Sequence, residues 1–168
     1  MKKLAPLFIT LALIVIIIAM FLSVDNKNKI TLKISGNTKQ LPIEIIPNKM
    51  QDPYCMMNIK SQNHSAQAIS PTGNTWFFDD IGCLILWIED KSFKDEAKFY
   101  TFSVDSKKWI DAREACYIIG SKTPMLYGFG SFEKKTDPKC IDFKTLRIKI
   151  LQGETMANPK IRKKILGY

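Results

Sequence analysis

The chain opens with an unbroken apolar run and turns to alternating patterns only afterwards. Leu4 to Val24 contains no charged residue. At about 1.5 Å per residue that is about 30 Å of helix, the thickness of a bilayer's hydrocarbon core. Lys2 and Lys3 precede the run and Asp25 follows it, so the positive-inside rule keeps the N-terminus in the cytoplasm and sends the rest across. The exit, Ala19-Met-Phe-Leu-Ser-Val-Asp25, lacks the small-x-small pattern of a cleaved secretory signal, and the first Cys after the run is Cys55. The pattern predicts an uncleaved transmembrane anchor over residues 1–24, in the inner membrane, with the soluble domain periplasmic. A cleaved signal, the alternative, leaves that domain on the same side.

Beyond the anchor the period changes. Residues 25–50 are polar, with two short alternating runs, Ile30-Thr-Leu-Lys-Ile34 and Leu41-Pro-Ile-Glu-Ile-Ile46. Pro42 and Pro47 bracket the second, which suits an edge strand or an extended linker, and the segment is expected to serve as a spacer. Residues 51–153 carry the ordered domain. Ser65-Ala-Gln-Ala-Ile-Ser70 and Thr75-Trp-Phe-Phe78 flank the turn cluster Pro71-Thr-Gly-Asn74, a β-hairpin pattern. Asp79-Asp80 then precedes Ile81-Gly-Cys-Leu-Ile-Leu-Trp-Ile88, where Leu84, Trp87 and Ile88 recur at helical spacing and an Asp supplies an N-cap.

A looser second copy follows. Phe99-Tyr-Thr-Phe-Ser-Val104 alternates and leads through Asp105-Ser-Lys-Lys108 into Trp109-Ile110, again a hairpin pattern. Asp111 to Ile119 reads as helix by its Ala and Glu and as strand at Tyr117-Ile-Ile119. Gly120 to Gly130 is a loop, Phe143 to Leu151 suits a helix or an edge strand, and residues 154–168 form a basic tail expected to fray. The sum is an α+β domain of two small related ββα-type modules after an N-terminal transmembrane helix.

Composition narrows the chemistry. The 168 residues suffice for one domain, and a single His excludes any multi-histidine metal site. Four Cys and seven Met make sulfur the plentiful soft ligand. Outside the cytoplasm the cysteines can pair in three ways or remain thiols, and Cys55, Cys83, Cys116 and Cys140 form no C-x-x-C. The net charge of +9 comes from scattered residues with small clusters at Lys107-Lys108, Lys134-Lys135 and Lys160 to Lys164. On the far side of a membrane that speaks against nucleic acid and for anionic lipid or an acidic partner.

The densest chemical candidate is Tyr54-Cys-Met-Met-Asn58, a thiol beside two thioethers. Copper(I) prefers polarisable sulfur and tolerates two or three ligands, so a Cys-x-Met pair plus one remote sulfur completes a site. The plainer reading of Met56 and Met57 is that they fill gaps in a core. In Thr123-Pro-Met-Leu-Tyr-Gly-Phe-Gly130 the Pro and glycines make a shaped loop, and Met125 is a candidate for the remote sulfur. Phosphate loops, G-x-S-x-G and H-E-x-x-H are absent. His64 with Cys55 would imitate a thiol-imidazole pair, but His64 sits among Ser, Gln and Asn in an apparent loop. Asp79 and Asp80 read as a helix cap before they read as an acid/base pair.

Taken in order, Tyr54-Cys-Met-Met-Asn58, Ala66-Gln67, Phe78-Asp-Asp-Ile-Gly-Cys-Leu84, Trp109-Ile-Asp-Ala-Arg-Glu-Ala-Cys-Tyr117 and Thr123-Pro-Met-Leu-Tyr-Gly-Phe-Gly130 resemble the NosL family of nitrous oxide reductase accessory lipoproteins. The resemblance runs from about Tyr54 to Phe132. It implies two ββα-type modules like those of a domain of organomercurial lyase. It also implies a copper(I) chaperone, here read as non-enzymatic, whose ligands fall on Cys55, Met57 and Met125; the proximity of the motifs adds Asp79, Asp80 and Tyr127 as expected supporting residues. The implied partners are nitrous oxide reductase or another cuproenzyme and an ABC-type membrane complex. The lipid-modified Cys of the family is replaced here by the transmembrane anchor, and the chain from Glu133 onward carries no recognisable match. Two rivals stand beside this expectation: a thiol-based enzyme using Cys55 and Cys83, and a disulfide-held interaction module without metal.

Overall fold

A computed structural model describes residues 5–27 and 30–167. The chain divides into two compact units, one ending at Ile30 and one starting at Thr31. The first is helix α1, Ala5–Lys27. Its described side chains, Phe8 to Met20, are exposed and apolar apart from Thr10. They cover about 20 Å of helix axis, less than the about 30 Å of a hydrocarbon core. Among the described residues, no helix is long and apolar enough to cross a membrane. Lys2 and Lys3, which set the expected orientation, lie outside the described residues.

The second unit is mixed α+β with antiparallel sheets. Five strands, β1 (Lys33–Ile34), β2 (Ala66–Ile69), β3 (Thr75–Phe78), β4 (Lys98–Phe102) and β5 (Trp109–Asp111), form one sheet in the order β1-β3-β2-β4-β5. Strands β6 (Cys116–Ile119) and β7 (Phe129–Phe132) form a second sheet. Helices α2 (Ile81–Ile88), α3 (Phe143–Leu151) and α4 (Pro159–Leu166) complete the unit.

The hairpin β2–β3 forms where the turn residues predict it. Gly73 takes φ of +78°, and its N–H donates to Ser70 O at 2.9 Å. A Cβ there would also stand 2.8 Å from the Asn37 backbone, so glycine is required twice, for the left-handed turn and for the close approach. Along β3 the side chains alternate between two cores. Trp76 and Phe78 face the helices, joining Leu84, Ile85, Phe99, Tyr117, Phe129 and Leu146, while Phe77 joins Ile45, Met50 and Ile59 on the opposite face.

That opposite face corrects one expectation. The stretch 25–50, read as a spacer, becomes a wall of the domain from Thr31 onward. Gln67 is fully buried, and its amide clasps Ile43: Ile43 N–H donates to Oε1 at 3.0 Å and Nε2 donates to Ile43 O at 2.7 Å. A buried amide must be satisfied, and this segment's backbone does it.

The second copy also differs from its expectation. The pair β4–β5 forms, but β4 pairs with β2 and so extends the first sheet. Residues 116–119, open between helix and strand, are strand, because Tyr117-Ile-Ile119 finds a partner in Phe129–Phe132. The loop read as running to Gly130 therefore ends at Gly128. Phe143–Leu151 is a helix, capped by Asp142, whose carboxylate accepts from Thr145 N–H at 2.8 Å. Arg147 on α3 holds Glu89 after α2 through two hydrogen bonds of 2.6 Å, a bidentate pair.

Residues 154–168 are expected to fray, and the described part of them carries buried residues and a helix. Thr155 and Met156 are buried, and Met156 N–H donates to Tyr127 O at 3.2 Å. The segment then enters α4 behind the cap Asn158 and Pro159. The start of the tail is thus pinned to the loop that carries Met125, which a reading of its charge alone misses.

Candidate metal centre

The loop before β2 is shaped by one carboxylate. Asp52 is fully buried; its Oδ1 accepts from Tyr54 N–H at 2.7 Å and Cys55 N–H at 3.2 Å, and its Oδ2 accepts from Asp79 N–H at 3.1 Å. The first two contacts make an Asx turn, a local substitute for backbone pairing. Its backbone closes the loop as well, with Asp52 N–H donating to Met57 O and Met56 N–H donating to Asp52 O. Met56 takes a positive φ of 62°. The tip so formed exposes Tyr54, Met56 and Met57 and leaves Cys55 half-buried.

Opposite stands the start of α2, where the Asp79-Asp80 pair divides its work. Asp80 is the cap: its Oδ1 accepts from Gly82 N–H at 3.1 Å and its Oδ2 from Met125 N–H at 3.3 Å. It therefore fixes both the helix and the loop after β6. That loop approaches α2 closely, because a Cβ on Gly82 would lie 2.2 Å from the Tyr127 ring. Asp79 points to the sulfurs instead. Cys55 Sγ lies 3.8 Å from its Oδ1, and Cys83 Sγ lies 3.7 Å from the same oxygen. Asp79 and Cys83 are four residues apart at the helix start and so share one face.

One ligand atom each from Asp52, Cys55, Asp79 and Cys83 all lie within 4.8 Å of one another. Burial dominates the electrostatics. It raises Asp79 to about 7, with the charge of Asp52 and a hydrogen bond to it adding to the effect. Cys55 is pushed up to about 11, again by burial, with Asp52 and Asp79 adding and the Met57 backbone N–H opposing. Cys83 is raised further, by burial and then by Asp52, Asp79, Cys55 and Asp80. Without a cation, protons stay on these thiols at neutral pH.

A pH dependence of stability follows. Asp79 keeps its proton in the fold while the unfolded chain has lost it, so its contribution is full below about pH 4 and declines as pH rises through about 7. Burial raises Asp80 to about 6, in the same direction. Asp79→Asn in the metal-free protein is expected to gain stability relative to wild type as pH rises over this interval, read as urea midpoints. A gap between the two proteins that does not change with pH would contradict the buried carboxyl.

Of the residues proposed from sequence, Cys55 lies in this cluster. Met57 lines an open cavity of about 510 Å³ beside it, together with Asn58, Lys60, Asp79 and Pro124. Met125 follows Pro124, is half-buried, and packs with Cys55 against the main core. Tyr127 stands over Gly82. His64 is not a member of the cluster; its Nδ1 is buried without a hydrogen-bond partner. Cys116 and Cys140 are joined in a disulfide, with Cα atoms 5.4 Å apart, and Cys55 and Cys83 are free thiols.

Asp52 and the inward role of Cys83 escaped the sequence reading. The signals were present: an Asp two residues before Tyr54 is an Asx-turn pattern, and the spacing from Asp79 to Cys83 is one helical turn. Compared with known proteins, the chain matches no family model, no curated protein and no solved structure.

Proposed function

We propose that this protein is a membrane-anchored, extracytoplasmic copper(I) chaperone, with Cys55 as the thiolate ligand and Met57 and Met125 as thioether ligands. The observation that carries the reading is the half-buried Cys55 thiol at the tip of a tight loop, with Met57 on an open cavity next to it and Asp79 behind. Soft sulfur at an accessible edge suits copper(I), and a low coordination number leaves room for an incoming ligand from the acceptor, so the ion passes by exchange.

Loading requires the thiol proton to leave, since the thiolate is the ligand. Asp79 Oδ1 lies 3.8 Å from the Cys55 Sγ that gives the proton up. Asp52 holds the loop and Asp80 ties the Met125 loop to α2, so the two sulfur-bearing loops are both referred to one helix start.

Two further lines support the placement. The five ordered motifs, from about Tyr54 to Phe132, resemble the NosL family, whose first ββα-type module would correspond here to β2-β3-α2. The Cys116–Cys140 bridge suits an oxidising compartment. The anchor is residues 1–24, in the inner membrane, with the domain periplasmic, and the acceptor is nitrous oxide reductase or another cuproenzyme, reached together with an ABC-type complex. A thiol enzyme is the weaker reading, because a reactive cysteine needs a lowered pKa and that of Cys55 is raised to about 11. The interaction module needs Cys55 consumed in a bridge, and it is free. The test is anaerobic copper(I) titration against a chromophoric chelator, with Cys55→Ser, Met57→Ala and Met125→Ala beside wild type.

A further inference from the structure

Behind the exposed sulfurs, Asp52, Cys55, Asp79 and Cys83 form a donor set of a different character. It offers two thiols and two carboxylates, and the four donor atoms lie within 4.8 Å of one another. Around a tetrahedral zinc-like ion with bonds of about 2.3 Å to sulfur and about 2.1 Å to oxygen, the sulfur-oxygen edges are about 3.6 Å and the sulfur-sulfur edge about 3.8 Å. The edges from Asp79 Oδ1 to Cys55 Sγ and Cys83 Sγ are 3.8 and 3.7 Å. Two edges of the polyhedron are therefore present within a few tenths of an ångström, and the other donor pairs are no farther apart than 4.8 Å.

Charge points the same way. Asp52, Asp79 and Cys83 are buried and Cys55 is half-buried. Buried acidic groups in mutual contact persist when they keep protons or hold a cation, and with all four ionised a divalent ion neutralises twice as much charge as copper(I). Ligand preference agrees, because copper(I) prefers soft sulfur to carboxylate oxygen whereas zinc-class ions accept thiolate and carboxylate together.

We infer that Asp52, Cys55, Asp79 and Cys83 form a second, inner site that takes a divalent thiophilic cation of the zinc and cadmium class. The site shares Cys55 with the proposed copper site, uses Cys83 in place of the methionines, and does not depend on the copper reading. Binding replaces the protons of both thiols, and the proton that Asp79 carries in the metal-free fold, by bonds from the metal to sulfur and oxygen and releases them to solvent, with no change of oxidation state.

The test is an anaerobic titration of the full-length protein, reduced at Cys55 and Cys83, with Cd2+ alone, followed by the thiolate-to-cadmium charge-transfer band. A saturable band for a single Cd2+ per chain is expected, displaced by Zn2+. Affinity should fall about tenfold or more in Cys83→Ser, as for loss of a metal-site partner, and change less than about twofold in Met57→Ala and Met125→Ala. The cadmium NMR shift of the wild-type complex reports a mixed sulfur and oxygen donor set without any variant, so a misfolded Cys83→Ser does not leave the question open. Absence of the band, indifference to Cys83→Ser in a folded variant, or an all-sulfur shift overturns the inner site. Cd2+ binding without copper(I) binding overturns the copper reading and leaves this site standing; copper(I) binding without Cd2+ does the reverse.

Discussion

Replacing Cys55 by Ser is expected to weaken copper(I) binding by about 100-fold or more, because changes one shell away from a metal already cost about 10- to 100-fold and this one removes the ligand itself. Met125→Ala should cost about tenfold, equivalent to about 1.4 kcal/mol, since a thioether contributes without charge and leaves two sulfurs in place. Cys55 is anchored by the backbone bond of its own N–H to Asp52, which the substitution keeps, so the loop is expected to survive in the variant. Near-ultraviolet circular dichroism checks that point independently of the metal. Affinity unchanged in both variants would remove the chaperone assignment, and loss in Cys55→Ser with no effect in Met125→Ala would return the Met125 loop to a packing role.

The second large effect is on stability. Cys116→Ala combined with Cys140→Ala is expected to cost about 3.5 kcal/mol in urea unfolding, the chain-entropy value for a loop of this size, given a sequence separation of 24. The bridge joins β6 to the segment before α3, next to the paired backbone bonds of 3.0 Å between Tyr117 and Ile141. Helix α3 brings Leu146 and Ile150 to the core, so the bridge holds a packed layer and not a loose end. Copper(I) affinity should be unchanged in the same variant, because neither sulfur belongs to the cluster around Asp79. A urea midpoint insensitive to the loss of the bridge would mean that the backbone pairing alone holds α3.

The parts of the fold that were legible in the sequence are those decided within about 20 residues. The turn at Gly73, the cap at Asp80 and the apolar stripe of α2 are local devices, and each is where its residues place it. The stretches that local pattern left open or misread share one cause. Tyr117-Ile-Ile119 needed the distant Phe129–Phe132 before it became strand, the segment near Ile43 needed the buried Gln67, and the tail needed Tyr127 and Gly128 to pin Met156. In all three a long-range partner decided what local propensity left open.

The site divides along the same line. By itself the sequence excluded a multi-histidine site and supplied four Cys and seven Met, and it placed a Cys-x-Met loop and a methionine loop as candidates. Which atoms meet was decided only by tertiary structure. It drew Asp79 away from capping, set it between Cys55 and Cys83, and buried Asp52 beneath them. Residue type fixes what a side chain can bind, whereas the mutual distance of groups far apart in sequence is set by the packing of the elements that carry them.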